Sequence, residues 1–158
     1  AHRRAELMPY KQPVSVLVVI HTPDRQILLL ERAAHPGYWQ SVTGSQEDDE
    51  ALIDTAVREV GEETGIAVTV DRLIDWQQTN TYEIFPEWRH RYAPGVTENT
   101  EHVFSLEVPR ETPVRIAPGE HLGHCWLPLE EAAAKVFSWS NRDAILALPS
   151  RQKIRGAA

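Results

Sequence analysis

The 158-residue chain contains a single cysteine, Cys125, and this scarcity excludes an internal disulfide bond. Long apolar runs are also missing. The longest ones, such as residues 14–20, are far too short to cross a membrane as a helix. Positive charge is in deficit, with 16 Lys and Arg against 23 Asp and Glu, which argues against a protein that binds the nucleic-acid backbone. We therefore expect a cytoplasmic protein with no nucleic-acid or membrane partner.

The remaining composition is that of one ordinary globular domain, with 42% hydrophobic and 25% charged residues. No segment repeats, and none is of low complexity. Residues 1–8 are polar and are expected to form a flexible N-terminal segment, and residues 1–11 lack the apolar core of a signal peptide. We expect a single domain over residues 9–150 and a frayed tail over residues 151–158.

The most informative stretch, residues 44–66, predicts a loop followed by an amphipathic helix that stops at Gly65. Apolar residues recur on one face of this helix, at Leu52, Ile53, Ala56, Val57 and Val60. Glu59 and Glu63 lie one turn apart at the edge of that face, with Glu62 beside Glu59. Crowded carboxylates near a core face require compensation, which a divalent cation supplies. Taken alone, this helix end would also fit a solvated surface.

The wider pattern is more specific, because the stretch fits G-x5-E-x7-R-E-U-x-E-E-x-G-U at every fixed position, where U is an apolar residue. In this it resembles the Nudix hydrolases. The resemblance implies attack of water on a diphosphate linkage, with Mg²⁺ as cofactor and Mn²⁺ as a substitute. It implies metal binding by Glu59, Glu63, Glu120 and Gly44, and catalytic roles for Glu62, Glu120 and Arg58. Within this set we expect Arg58 to pair with Glu50 and to shape the loop.

Segments outside this pattern extend the resemblance from residue 10 to residue 145. They are YKQPVSVLVVI, YWQSVTGS, YEIF, RHRYAPGVT with NTE at residues 99–101, EHL and SWSNR, and they resemble the bacterial dihydroneopterin triphosphate pyrophosphohydrolases. That resemblance implies hydrolysis of 7,8-dihydroneopterin 3′-triphosphate to the monophosphate and pyrophosphate, a step of folate biosynthesis. It places the following residues at the substrate: Lys11, Arg32, Thr43, Tyr82, Glu83, Ile84, Phe85, His121 and Ser138.

Two other functions fit the same residues. One is a nucleoside triphosphate pyrophosphohydrolase acting on dATP-like or oxidised nucleotides, because a purine and a pterin are both flat, hydrogen-bonding rings. The other is a Nudix-fold sensor that binds a nucleotide without hydrolysing it, although the complete glutamate set disfavours this reading. In each case we expect the partner to be a small-molecule triphosphate and the protein to be a monomer or a homodimer.

The order of elements predicts an α/β fold, and the resemblance implies a mixed β-sheet sandwiched between α-helices. Strands are predicted at residues 14–21, 27–32, 38–43, 66–78, 79–85, 100–108 and 124–127. Short helices are predicted at residues 129–136 and 141–148, the latter with Ser140 as N-cap. Residues 86–97 form a loop in which Arg89, His90 and Arg91 lie between Trp88 and Tyr92. Such a loop fits either a solvated surface or a site that binds phosphates and stacks on a ring.

Overall fold

The computed structural model describes residues 10–157, and side chains as far as Gln152, so the predicted N-terminal segment lies outside the described residues. The strands are β1 Val14–His21, β2 Gln26–Arg32, β3 Trp39–Gln40, β4 Val42–Ser45, β5 Leu73–Glu83, β6 Glu98–Glu107 and β7 His121–Pro128. The helices are α1 Leu52–Thr64, α2 Leu129–Lys135 and α3 Trp139–Ala157. Two 3₁₀ helices, Val70–Arg72 and Pro86–Arg91, complete the elements.

Strand β1 is the centre of one mixed sheet with the order β3-β2-β1-β6-β5. It runs parallel to β6 and antiparallel to β2 and β4, while β7 pairs with β2. Seven of its eight residues are buried, as its β-branched sequence predicts for a strand covered on both faces. The prediction of an α/β fold with a mixed sheet is confirmed.

The two faces of β1 belong to two separate apolar clusters. Val16, Val18 and Ile20 pack with Ala56 and Val60 of α1. Leu17 and Val19, which alternate with them, face the other way and pack with α2 and α3, at Ala132, Ala144 and Ile145. The sheet is therefore sandwiched between α1 and the C-terminal helices, as predicted.

Helix α1 ends as its sequence indicates. Gly65 adopts the left-handed conformation with φ of 73°, and its N–H donates to the carbonyl of Gly61. Ala51 precedes the helix without a side-chain cap, so the loop before it is held by other contacts, described below. The predicted amphipathic helix and its end at Gly65 are confirmed.

The strand predictions for residues 66–85 were wrong in detail. Residues 66–69 lie outside any strand, and β5 is one continuous strand in place of the two that were predicted. A bulge between Asp75 and Thr79, with Gln77 at a φ of 52°, interrupts its pairing with β6 and explains why the alternation breaks there. The guanidinium of Arg151 on α3 donates to the carbonyl of Trp76, at 3.1 Å, and to Gln78, at 2.6 Å.

Helix α3 also differs from its prediction, since it begins at Trp139 and continues to Ala157, beyond Pro149. Its cap is Ser138, whose hydroxyl accepts from the N–H of Asn141 at 3.3 Å. Ser140, the predicted cap, lies inside the helix and is buried. Within residues 10–157, no helix is both long and apolar enough to span a bilayer.

Candidate active site

A cleft of about 800 Å³ opens at the end of the sheet where β1, β4 and β6 meet the loop before α1. Every residue to which the resemblance assigned a metal-binding, catalytic or substrate-binding role lines this cleft: Lys11, Arg32, Thr43, Gly44, Arg58, Glu59, Glu62, Glu63, Tyr82, Glu83, Ile84, Phe85, Glu120, His121 and Ser138. The fold thus brings together residues from most of the chain. The role of each one stays a prediction.

Glu59 and Glu63 form a buried carboxylate pair on α1 and are hydrogen-bonded to each other. Burial, together with the charge of Glu62, raises the pKa of Glu59 to about 7, although Arg58 opposes this change. Burial and the charge of Glu59 raise the pKa of Glu63 well above its ordinary value. Two buried carboxylates this close together share one proton, until a cation of higher charge displaces that proton.

The surroundings of Glu63 are polar but incomplete. The N–H of Thr43 donates to its carboxylate, and Nε2 of His121 lies 3.7 Å from Oε1. Among the described residues, Oε1 of Glu63 has no hydrogen-bond partner, and neither does Nδ1 of His121. Burial, and then the charge of Arg32, lower the pKa of His121, which favours its neutral form. An unpaired buried carboxylate oxygen is a position that a cation or a donor would satisfy.

Arg58 connects the loop to the helix. Its guanidinium donates to Oε1 of Glu50 at 2.7 Å and to the carbonyl of Ser45 at 3.0 Å, and it lies 3.4 Å from Glu59 and 3.3 Å from Glu62. Partial burial disfavours its charge, but the hydrogen bond to Glu50 and the neighbouring carboxylates outweigh this and raise the pKa of Arg58. The predicted pairing of Arg58 with Glu50 is confirmed, and it fixes the loop that carries Gly44.

The donor set fits a hard divalent cation. Glu59 and Glu63 supply carboxylate oxygens, and Glu120, exposed at the rim, is close enough to raise the pKa of both. Mg²⁺ takes one or two carboxylates and completes its shell with waters and substrate phosphates, so a pair of buried carboxylates suits it.

A positive wall faces these carboxylates. The N–H of Lys11 donates to the carbonyl of Arg91, and Nη1 of Arg32 donates to Gln40 at 3.1 Å. Desolvation, followed by the charges of Arg91 and Arg32, lowers the pKa of Lys11, which as a whole residue is still exposed. Mutual repulsion among three cations in one cleft is relieved by an anion, so this wall suits a phosphate chain.

An aromatic cluster forms another part of the lining. Phe85 stacks on Trp88 with ring centroids 5.0 Å apart, and Phe137 meets Trp88 edge-on at 6.0 Å. The guanidinium of Arg32 lies 4.6 Å from the centre of the Trp88 ring. Of the two alternatives for residues 86–97, the structure therefore favours the one at the site, since Trp88, Arg91 and Tyr92 all line the cleft.

The other predicted substrate residues occupy varied positions. The hydroxyl of Tyr82 accepts from Asn99 at 3.0 Å, and burial raises the pKa of that hydroxyl. Ile84 is buried and donates its N–H to the carbonyl of Thr97, while Glu83 is exposed and pairs with Arg89 at 3.5 Å. Glu83 and Ile84 therefore line the cleft less as polar contacts than as the backbone that leads to Phe85.

Sequence reasoning assigned no individual role to several lining residues, although all of them except Phe137 lie in the segments that carry the resemblance: Ser15, Gln40, Asn99, Glu101, Phe137 and Asn141. One signal was available for two of them. Glu101 lies in the predicted strand 100–108 and Asn99 directly precedes it; both alternate in phase with Val103, so the inward-facing row of this strand is polar at one end. Phe137 follows a predicted helix in a loop, where no local pattern marks it.

Comparison with known proteins decides the family. The model of the NUDIX domain matches residues 11–148. The chain belongs to the NUDIX domain family. Nudix hydrolases generally need a divalent metal ion, as the donor set above also suggests. The resemblance inferred from the sequence is confirmed.

Individual relatives narrow the comparison. The chain is 51% identical over 139 residues to dihydroneopterin triphosphate diphosphatase of Escherichia coli K12, covering 86% of this chain and 91% of that protein. It is 41% identical over 143 residues to the protein of the same name from Haemophilus influenzae, covering 88% and 89%. Among solved structures, the E. coli dihydroneopterin triphosphate pyrophosphohydrolase superposes with a TM-score of 0.80 at 50% identity, covering 86% of this chain and 94% of that one.

Proposed function

We propose that this Nudix protein hydrolyses 7,8-dihydroneopterin 3′-triphosphate to dihydroneopterin monophosphate and pyrophosphate. The observation that carries the proposal is the 51% identity to the E. coli diphosphatase across 91% of its length. The cleft supports it, because basic, carboxylate and aromatic side chains line one cavity. The substrate is a small-molecule triphosphate, and we propose a cytoplasmic location because a chain with one cysteine suits a reducing compartment.

The cations and the aromatic rings of the cleft bind different parts of the substrate. Lys11, Arg32 and Arg91 bind the oxygens of the triphosphate, and Thr43 and Ser138 offer hydroxyls beside them. Phe85, 38% exposed, and Trp88 stack against the flat ring. A substrate that is bound at its ring and at its triphosphate in this way presents one phosphorus atom to a fixed water molecule.

Glu59 and Glu63, with Glu120 and Gly44 of the adjoining loops, are proposed to hold Mg²⁺, for which Mn²⁺ can substitute. When bound, the metal neutralises phosphate charge and makes its water more acidic. A carboxylate of this chain, Glu62 or Glu120, accepts the proton of the attacking water. The new oxygen–phosphorus bond forms as the bond to the departing phosphate oxygen breaks, and both products leave as anions. Arg58 positions Glu59 and Glu62 for this step.

The decisive experiment measures pyrophosphate release with Mg²⁺ and compares kcat/KM for dihydroneopterin triphosphate, dATP and oxidised nucleoside triphosphates. Preference for the pterin supports the proposal. Equal or better use of a nucleotide assigns the protein to nucleotide pyrophosphohydrolysis instead. No activity on any of these substrates, from folded protein with metal present, leaves a binding protein.

The variant Glu63→Gln is expected to lose most turnover and keep the fold, whereas Glu98→Gln, on the exposed end of β6, should match wild type. Size-exclusion chromatography with light scattering would separate the monomer from the homodimer.

A further inference from the structure

Strand β6 carries a carboxylate that the steps above do not use. Val103, Glu101 and Asn99 alternate on one face of β6, so the apolar row under α3 becomes polar at the cleft. Glu101 is only 4% exposed and Asn99 only 2%, and both line the cleft. A buried carboxylate is among the most costly groups to place in a protein, so its position calls for a ligand or a partner.

The partners of Glu101 within the described residues are uncharged and incomplete. Ser140 of α3 and Asn80 of β5 donate hydrogen bonds to its carboxylate. Its Oε1 atom has no hydrogen-bond partner in this part of the chain, and no salt bridge there includes Glu101. The Oε1 atom of Glu101 is therefore a hydrogen-bond acceptor at the cleft that lacks a donor.

Glu101 is also separate from the metal-binding carboxylates. Across the sheet, Asn80, Glu101, Ser15 and Ser45 lie directly opposite one another on β5, β6, β1 and β4. Glu101 is therefore two strand spacings, roughly 10 Å, from the strand that carries Gly44. A ligand that reaches both must be elongated, with its phosphates near β4 and its ring near β6.

Asn99 adds a second acceptor beside Glu101. Its amide nitrogen donates to the hydroxyl of Ser15 at 2.7 Å and to that of Tyr82 at 3.0 Å. With both hydrogens used, its Oδ1 atom is buried and has no partner among the described residues. Two free acceptors on neighbouring inward positions of one strand suit a ligand edge that carries hydrogen-bond donors.

We propose that Glu101 is the residue that recognises the ring of the substrate, by accepting hydrogen bonds from the adjacent N–H and amino groups of a 2-amino-4-oxopyrimidine edge. Pterins and guanine share this edge. Adenine places the lone pair of its N1 atom at the corresponding point, which repels a carboxylate. This inference rests on the proposed function, because it names the feature by which the same cleft selects its substrate.

The test uses 7,8-dihydroneopterin, which has the ring but no phosphates, in an equilibrium titration that needs no hydrolysis. Wild type is expected to bind it, and Glu101→Gln to bind it roughly 10- to 100-fold more weakly, as befits the loss of a hydrogen bond to a charged group. Glu98→Gln removes one charge from the same strand and is the matched control. Circular dichroism on both variants confirms folding, and binding by Glu101→Gln at the wild-type level would overturn the inference.

A second measurement requires no variant. GTP and ITP differ only in the 2-amino group, so competition of each with the substrate of wild-type protein isolates that group. GTP is expected to inhibit at least tenfold more strongly, and equal inhibition would overturn the inference.

The two proposals can fail separately. If the ring binds through Glu101 but no pyrophosphate is released, only the proposed function is overturned. If Glu101→Gln keeps the wild-type kcat/KM on dihydroneopterin triphosphate, ring recognition by Glu101 fails alone.

Discussion

Gly44 and Glu59 occupy complementary volumes. A Cβ atom added to Gly44 would lie 1.7 Å from Oε2 of Glu59 and 1.9 Å from its Cδ, so the carboxylate fills the space that any other side chain would take. The family resemblance implied that this glycine takes part in metal binding. In the structure, its absent side chain first makes room for the carboxylate of the helix.

Replacement of Gly44 by alanine should therefore displace Glu59 and weaken metal binding. We expect metal affinity to fall on the order of 10- to 100-fold, as when a group that orients a ligand is lost, with a parallel loss of activity. Titration with Mn²⁺ measures the affinity. Gly123→Ala is the control, because a Cβ there meets nothing within 4 Å. Equal affinity in both variants would contradict the volume argument.

Replacement of Arg58 by lysine should loosen the loop before α1. Lysine retains the charge but not the planar fork that binds Glu50 and Ser45 together. We expect roughly 1–3 kcal/mol less stability in denaturant unfolding, together with weaker metal binding. Arg142→Lys alters a half-exposed pair with Asp143 and should change neither quantity. A variant at position 58 as stable as wild type would show that charge alone suffices.

Metal binding should strengthen as the pH rises through about 7. The pKa of Glu59 is about 7, and that of Glu63 is also raised, so below neutral pH Mg²⁺ must displace protons from this pair. Because the folded pKa exceeds the ordinary one, the pair stabilises the metal-free fold most at low pH and loses that contribution as pH rises through 7. The gap in Tm between Mg²⁺-loaded and metal-free protein should widen from pH 5.5 to 8.5. A constant gap would contradict the carboxylate assignment.

The proton acceptor can be assigned by comparing Glu62→Gln with Glu120→Gln. Glu62 is held 3.3 Å from Arg58 and is 55% exposed at its side chain, and Glu120 lies at the rim near Glu59 and Glu63. Loss of the general base should lower kcat by about 10²- to 10⁴-fold with little change in metal affinity. Loss of a metal ligand should instead raise the metal concentration required. Two variants with the same profile would mean that neither carboxylate acts alone.

Glu101→Gln should stabilise the free protein at alkaline pH. Burial raises the pKa of Glu101 to about 7, and Tyr82 is the titratable group beside it. Its contribution to stability is fully present below pH 4.5 and is lost as pH rises through 7, because the unfolded chain ionises more readily. The difference of about 2.5 in pKa corresponds to roughly 3 kcal/mol, so the Tm of the variant should exceed that of wild type by several degrees at pH 8. At pH 4.5 the two should coincide.

Much of this site could be predicted from sequence because its residues are close together in the chain. Helix α1, its stop at Gly65 and the pairing of Arg58 with Glu50 depend on local spacing, which a sequence displays directly. The flanking substrate residues came from resemblance, since nothing local connects Lys11 with Arg32. The fold then placed all of them in one cleft.

What could not be predicted depends on contacts distant in sequence. Phe137 reaches the aromatic cluster only because α2 packs against the sheet, and the exchange of Ser140 for Ser138 as cap follows from a helix that begins two residues early. No local pattern in the sequence assigns a function to Glu101. Its contacts in the structure do, because Asn80 and Ser140 leave one of its carboxylate oxygens without a hydrogen-bond partner among the described residues.

The bulge in β5 sets the register of the strand that forms one wall of the cleft. Three residues of β5, from Trp76 to Gln78, stand opposite one residue of β6, and this offset sets Asn80 against Glu101 and Tyr82 against Asn99. If the same residues paired with β6 in regular register from Asp75 onward, Gln78 would lie opposite Glu101 and Asn80 opposite Asn99. The bulge, which lies outside the cleft, therefore selects the neighbours of Glu101, and its loss would change them while every residue that lines the cleft stays the same.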